Sequence, residues 1–350
     1  MRIAQVAPLI ESVPPKSYGG SERVVSWLTE ELVRQGHDVT LFASGDSRTA
    51  GELVACCERG LRFDPYAIVP EPYHLVMIDR VFRRMQEFDV VHFHIDYLHF
   101  PLFRKLAAQT VTTLHGRLDL PFLVPVFEAF PEMRMVSISN SQRAPLPNLN
   151  WIDTVYHGLP PDLLPYCEAP SWDYLAFLGR ICEEKGIERA IRIAKRVGMK
   201  LKIAAKVDKV DRVYFEETIQ PLLGDPMIEF IGEVNDEQKR DFLGNAYAVL
   251  FPIDWPEPFG LVMIEAMACG VPVIAMRRGS VPEVIDHGVT GLIVDSEDEA
   301  VRAVKRASML NRRGVRQRFE DRFTVERMAR DYLALYGATT TGRRTRRWRA

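Results

Sequence analysis

A chain of 350 residues is long enough for two domains of ordinary size. It is 47% hydrophobic and 26% charged with a net charge of −2, a globular balance with no overall field for nucleic acid. Five cysteines (Cys56, Cys57, Cys167, Cys182, Cys269) make no C-x-x-C and no regular framework, which points to a reducing, cytoplasmic setting. No run reaches the ~18 apolar residues of a membrane span, and Met1–Pro8 reads as a short strand rather than a signal peptide.

The first half repeats apolar strand, loop and amphipathic helix. Strands are expected at Arg2–Pro8, Asp38–Ala43, Asp89–His94, Thr110–His115, Met135–Asn140 and Ile152–His157. The helix after Gly20 places Val24, Val25, Leu28 and Leu32 on one face, the 3.6-residue period of a helix laid on a sheet. A proline-rich break at Leu159–Pro170 reads as a hinge, and the theme then restarts. Strands follow at Tyr174–Leu178, Leu201–Ala205, Ile228–Ile231, Ala248–Phe251, Val271–Ala275 and Gly291–Val294, with a helix carrying Ile187, Ala190, Ile191, Ala194 and Val197 between the first two. Such alternation implies an α/β fold of two Rossmann-like, doubly wound parallel sheets facing across a cleft. The expected bounds are 1–158 for the first domain and 159–321 for the second, with a last helix at 322–337 crossing back to the first. Residues 338–350, rich in arginine, read as a basic, disordered tail.

The richest stretch is Asp254–Gly270. Pro256 and Pro258 forbid an early helix, because each fixes φ and lacks an N–H, so the helix should start near Phe259 or Gly260 and stop at Gly270. Glu257 then lies on the preceding loop and Glu265 a turn or more inside the helix. Between them the first N–H groups stand at the positive end of the dipole, a ready anion site with an acid on either side.

Other stretches sit where strands end, the usual place for ligands in open α/β sheets. Tyr18-Gly19-Gly20-Ser21-Glu22 opens a helix, and its paired glycines let backbone approach a ligand, although a tight turn alone would use them too. Gly179-Arg180 followed by Lys185-Gly186 brings a bidentate fork and a mobile cation suited to phosphate oxygens, or else to surface pairing with Glu183 and Glu184. His115 ends a strand facing the expected cleft. His92, His94 and Asp96 lack a further ligand set at metal spacing, and no Asp-x-Asp clamp occurs, so no metal is expected. Lys206 either adds a cation near the phosphates or pairs with Asp208.

Gly179-Arg180-x4-Lys185-Gly186, Glu257-Pro-Phe-Gly-x4-Glu265-Ala-x-Ala-x-Gly270-x-Pro272 and Gly279-Ser-Val-Pro-Glu283 resemble the donor-domain signature of family 4 glycosyltransferases of GT-B fold. Gly19-Gly20-x-Glu22, His115-Gly116 and Ser139-x-Ser141 are similar to the same family's acceptor domain. The resemblance implies a retaining, metal-independent transferase that moves a hexosyl group from a UDP- or GDP-linked sugar to a hydroxyl acceptor. It implies that Arg180 and Lys185 hold the diphosphate and Glu265 the ribose. Glu257 with the backbone of Phe259, Gly260 and Leu261 would hold the sugar, and the backbone around Glu233 and Val234 the base. Gly19 and Gly20 would lie near the phosphates, and His115 beside the reacting carbon. No cofactor beyond the donor substrate is implied, and no nucleic-acid partner.

The acceptor is left open between small molecule, glycan and lipid-linked group. Basic and aromatic residues near Arg80–Arg84 and Phe100–Lys105 leave room for a peripheral membrane contact. Where many relatives have asparagine before the glycine closing the first domain, this chain has His157-Gly158. Rival readings on the same fold are a sugar-nucleotide epimerase, a phosphorylase or an inactive binding protein.

Overall fold

The computed structural model describes residues 1–16 and 19–347, with side chains through residue 339. Ser17 and Tyr18, the latter part of the glycine loop, and residues 348–350 lie outside the described residues. The chain divides into two compact units, one of Met1–Gly158 with Val325–Ala350 and one of Leu159–Thr324.

In the first unit seven parallel strands are β1 (Arg2–Val6), β2 (Asp38–Ala43), β3 (Glu52–Ala55), β4 (Val90–Phe93), β5 (Thr110–Thr113), β6 (Met135–Ser137) and β7 (Trp151–Thr154). They lie in the order β3-β2-β1-β4-β5-β6-β7. Ile3 pairs with Val39 on one side and Val90 on the other, so β1 is central and its apolar run is covered on both faces, as a parallel sheet requires. The helix Gly20–Arg34 packs Val24, Val25, Leu28 and Leu32 inward. A core of Phe42, Met77, Val81, Phe93, Phe103 and Phe127 fills the sheet's other side.

The second unit has six parallel strands, β8 (Tyr174–Arg180), β9 (Lys200–Lys206), β10 (Ile228–Gly232), β11 (Ala248–Phe251), β12 (Val273–Met276) and β13 (Gly291–Val294). Their order is β10-β9-β8-β11-β12-β13, so the winding reverses direction between β8 and β11. That reversal leaves a crevice at the carboxyl ends of those two strands, where ligands of such sheets settle. The helix Ile187–Val197 buries Ile187, Ala190, Ile191 and Ala194 against this sheet.

The structure departs from expectation in two places. Glu52–Ala55 forms β3, an edge strand paired in parallel with β2, where no strand is expected. Its residues are half-buried or exposed, so it carries no continuous apolar run. The last helix spans Val325–Arg347 rather than 322–337, so the expected disordered tail is helical backbone as far as Arg347. Arginine has a high intrinsic helix propensity. No helix of the described residues is long and apolar enough to cross a membrane.

Candidate active site

The second unit gathers three cations at the carboxyl ends of neighbouring strands. Arg180 ends β8 directly opposite Lys206, which ends β9. The Arg180 guanidinium lies 3.4 Å from Asp211 and 3.9 Å from Asp208, and Lys206 Nζ lies 3.0 Å from Asp208. Asp208 therefore bridges both cations, which is the pairing alternative for Lys206 rather than an uncommitted charge.

Lys185 follows β8 and reaches the loop after β11. Its Nζ donates a short hydrogen bond to the Glu257 carboxylate and lies 4.7 Å from the centroid of the Trp255 ring. Trp255 Nε1–H donates to the same carboxylate oxygen at 3.1 Å. Asp254 N–H donates to Glu184 O at 2.9 Å, tying the two loops together. Glu257 is 8% exposed, so its charge depends on these two donors rather than on water.

A second turn seals that loop from behind. Ser280 N–H donates to Glu257 O at 3.0 Å and Ser280 Oγ–H to Phe259 O at 2.8 Å. Gly279, at φ +53°, lies so close that a Cβ there would overlap the Glu257 backbone. Only glycine suits both the dihedral and the space. The helix that follows spans Leu261–Ala268, one or two residues inside the expected limits, with Gly260 at φ +80° before its first turn. Phe259 is buried against Phe323, which anchors the entry to the helix. The N–H groups of a first helical turn have no intrahelical carbonyl, so this end faces the Glu257 loop with positive polarity.

Glu265 lies inside the same helix, nearly buried, with Lys239 Nζ 2.7 Å from its Oε1. Lys239 comes from the helix Asp236–Gly244, whose start is fixed by a capping box between Asn235 and Gln238. Glu233 and Val234 precede that cap, after β10 at the sheet edge, two strands from β8.

In the first unit Gly19 precedes the helix Gly20–Arg34 and its carbonyl accepts from Arg23 N–H at 3.2 Å. Glu22, in that helix's first turn, is buried, and the loss of solvent pushes its carboxyl upward. His115 follows β5. Its Nε2 lies 2.8 Å from His94 Nδ1 and its ring stacks on His157 at 5.3 Å. Burial pushes His115 down to about 4 and holds His94 and His157 well below the ordinary 6.5, so all three are neutral imidazoles near pH 7. Both ring nitrogens of His92 and of His94 are engaged by protein groups. No group of three or more His, Cys, Asp or Glu placed to hold a metal occurs among the described residues.

The second unit brings Lys185 against Glu257 on the loop before Phe259–Leu261, while Arg180 pairs with Asp208 and Asp211. In the first unit Gly19 and Gly20 open a helix, and His115 contacts His94 and His157. Sequence reasoning did not single out Trp255, Asp211 or Lys239 as partners. Trp255 sits two residues from Glu257 and was legible in principle. Lys239 and Asp211 lie on separate helical segments with no local signal.

Two family models match the chain, "Glycosyltransferase Family 4" over residues 18–160 and "Glycosyl transferases group 1" over residues 171–323. N-acetyl-alpha-D-glucosaminyl L-malate synthase of Bacillus anthracis is 24% identical over 91% of this chain and 94% of its own length. Among solved structures, a glycosyltransferase involved in avilamycin A biosynthesis superposes with TM-score 0.72 at 25% identity, covering 97% of this chain and 98% of the other. Anabaena HepE in complex with UDP and glucose gives 0.73 at 16% identity over 97% and 100%. With two parallel α/β units matched in succession by these models, the chain belongs to the family 4 glycosyltransferases and has the GT-B fold.

Proposed function

We propose that the chain transfers a hexosyl group, with retention at the anomeric carbon and without a metal ion, from a UDP- or GDP-linked sugar to a hydroxyl acceptor. The observation that carries this reading is the Lys185–Glu257–Trp255 contact beside the start of the helix Leu261–Ala268, one strand end away from Arg180. A departing nucleoside diphosphate needs its charge neutralised, and two cations with a helix N-terminus can supply that. In this reading Arg180 and Lys185 turn from Asp208, Asp211 and Glu257 toward the diphosphate. Glu257 and the Phe259–Leu261 backbone hold the sugar, Glu265 the ribose and the Val234 region the base. A neighbour of the same fold was solved with UDP and glucose, which agrees with a UDP-linked donor.

For retention, we favour attack by the acceptor on the face the leaving group vacates, its proton passing to a β-phosphate oxygen. The rival route needs a carboxylate nucleophile. Glu257 Oε2 is engaged by Lys185 and Trp255, and both oxygens of Asp119 are engaged by Arg117, at 2.7 and 2.8 Å. Lys185 releases Glu257 in this reading, so it is the Asp119 carboxylate, held on both oxygens by Arg117, that supports the direct route.

The acceptor reading extends to lipid-linked groups. The helix Glu71–Arg83 buries His74, Met77, Ile78 and Val81, yet exposes Leu75 (62%) and Val76 (51%) beside Arg80 and Arg83. An apolar outer face flanked by cations suits a peripheral bilayer contact.

Titration calorimetry with UDP, GDP and ADP tests the donor, and transfer assays with and without a chelator test the metal. Tight binding of UDP or GDP and chelator-resistant transfer are expected. Transfer that stops with chelator and returns with a divalent ion overturns the metal-free account. A new sugar nucleotide formed from donor alone would favour an epimerase.

A further inference from the structure

Seven side chains of the first unit form one continuous hydrogen-bonded chain ending at His115. Tyr332 Oη lies 2.9 Å from Thr113 Oγ1, which lies 2.7 Å from His92 Nε2. His92 Nδ1 lies 2.6 Å from Tyr336 Oη. Gln5 Nε2–H donates to Tyr336 Oη at 3.3 Å, while Gln5 Oε1 lies 2.8 Å from His94 Nε2. His94 Nδ1 then lies 2.8 Å from His115 Nε2.

A neutral imidazole has one N–H and one lone pair, so each contact dictates the next. Because the Gln5 oxygen faces His94, His94 Nε2 donates and its Nδ1 accepts. His115 Nε2–H must then be the donor, and His115 Nδ1 keeps its lone pair. On the other side, Tyr336 accepts from Gln5 and donates to His92 Nδ1, so His92 donates through Nε2 to Thr113. Turning the Gln5 amide over would reverse every link together and put an N–H on His115 Nδ1. That nitrogen is enclosed and has no hydrogen-bond partner among the described residues. A buried orphan N–H is the costlier alternative to a bare acceptor.

We infer that Gln5 and Tyr336 are positioning residues that hold His115 in its Nε2–H tautomer, so that its Nδ1 carries a lone pair and no proton. Gln5 reads the polarity of the chain and Tyr336 fixes Gln5. Its bearing on transfer rests on the proposed placement of His115 beside the substrate, but the tautomer itself exists without any ligand.

The test is the imidazole ¹⁵N spectrum of the full chain labelled at histidine, recorded without substrate at pH 7.5. Nε2–H patterns are expected for His92, His94 and His115. In Gln5→Leu, His94 loses its acceptor and His115 should show both tautomers, whereas Gln5→Glu keeps an oxygen facing His94 and should restore the single form. If Gln5→Leu does not fold, Tyr336→Phe frees the amide to rotate and should mix the tautomers instead. An Nδ1–H form of His115 in the unaltered chain, or an unchanged His115 signal in whichever of these two variants folds, overturns the relay and leaves the transferase assignment standing. The expected tautomer together with undiminished transfer by His115→Ala would instead remove His115 from the site.

Discussion

Lys239 Nζ lies 2.7 Å from Glu265 Oε1, with side chains 10% and 5% exposed, making this the most enclosed of the ion pairs described around the second sheet. Asp236 adds a weaker contact to Lys239 at 3.6 Å. Removing one partner of such a pair leaves a buried charge uncompensated. Glu265→Ala is therefore expected to lower the stability of the second unit by about 3 kcal/mol as well as to weaken donor binding. The double change Glu265→Gln with Lys239→Met separates the two effects. Thermal unfolding should return toward the original midpoint while calorimetry still shows weakened nucleoside diphosphate binding. Restored affinity in the double variant would contradict a ribose role for Glu265.

Lys185→Ala removes a charge-assisted contact to Glu257 and the cation above Trp255. In the free protein the loss exposes Glu257 to a poorer partner set, with Trp255 Nε1–H remaining. Charge-assisted hydrogen bonds contribute about 1.5–3 kcal/mol, so nucleoside diphosphate affinity should drop by roughly ten- to a hundredfold. Arg180→Ala combined with Lys185→Ala should abolish transfer. Titration calorimetry and a donor-turnover assay check both statements.

Gly279→Ala is expected to cost about 2 kcal/mol or more. The added Cβ meets the Glu257 backbone, and φ +53° suits no residue with a side chain as well as glycine. The strain falls on the loop that presents Glu257, so turnover should drop further than denaturant stability alone explains. Gly198→Ala is a useful contrast, since it shares a positive φ but no atom lies within 4 Å of its Cβ position. Comparing kcat and denaturation midpoint for the two variants checks the account.

Seven of the eight histidines (His37, His74, His92, His94, His99, His115, His157) lie in the first unit and only His287 in the second. Burial lowers all seven in the first unit, well below 6.5 for His92, His94, His99 and His157 and to about 4 for His115. The unfolded chain takes up protons near pH 6.5 that the folded unit refuses. Stability is thus fully present above pH 6.5 and falls as the pH drops below it, by at most about 1.4 kcal/mol per pH unit for a fully buried histidine and by less for the half-exposed His37. Glu22, raised by burial, opposes this only near its own range. Hydrogen exchange corrected for its intrinsic pH dependence should show β4 and β5 opening more readily at pH 5.5 than at pH 7.5, with β11 and β12 little changed. Equal loss in both sheets would contradict the assignment.

Much of this fold is legible because its signals are local. Paired prolines and a positive-φ glycine delimit the helix Leu261–Ala268, an unbroken apolar run reveals β11, and mainly apolar runs broken by Gln5 and Thr40 reveal β1 and β2. β3 escaped because a parallel edge strand needs no buried face of its own, and Glu-Leu-Val-Ala presents none. The last helix was cut short because arginine density was read as solvation, although arginine also favours helix. Among the candidate site residues, those inside a motif are legible in the sequence, while most of the side chains that touch them are not. Asp211, Lys239 and Gln5 reach the site from other segments, and nothing in their immediate neighbours marks them out.

Tyr332 and Tyr336, on the helix Val325–Arg347, complete the polar chain that begins at Gln5. As the polypeptide emerges from the ribosome, Gln5, His92, His94 and His115 appear early, and their two phenolic partners follow only after all of Leu159–Thr324. A nascent first unit therefore waits with His92 Nδ1 lacking its phenolic partner until Tyr336 has been made.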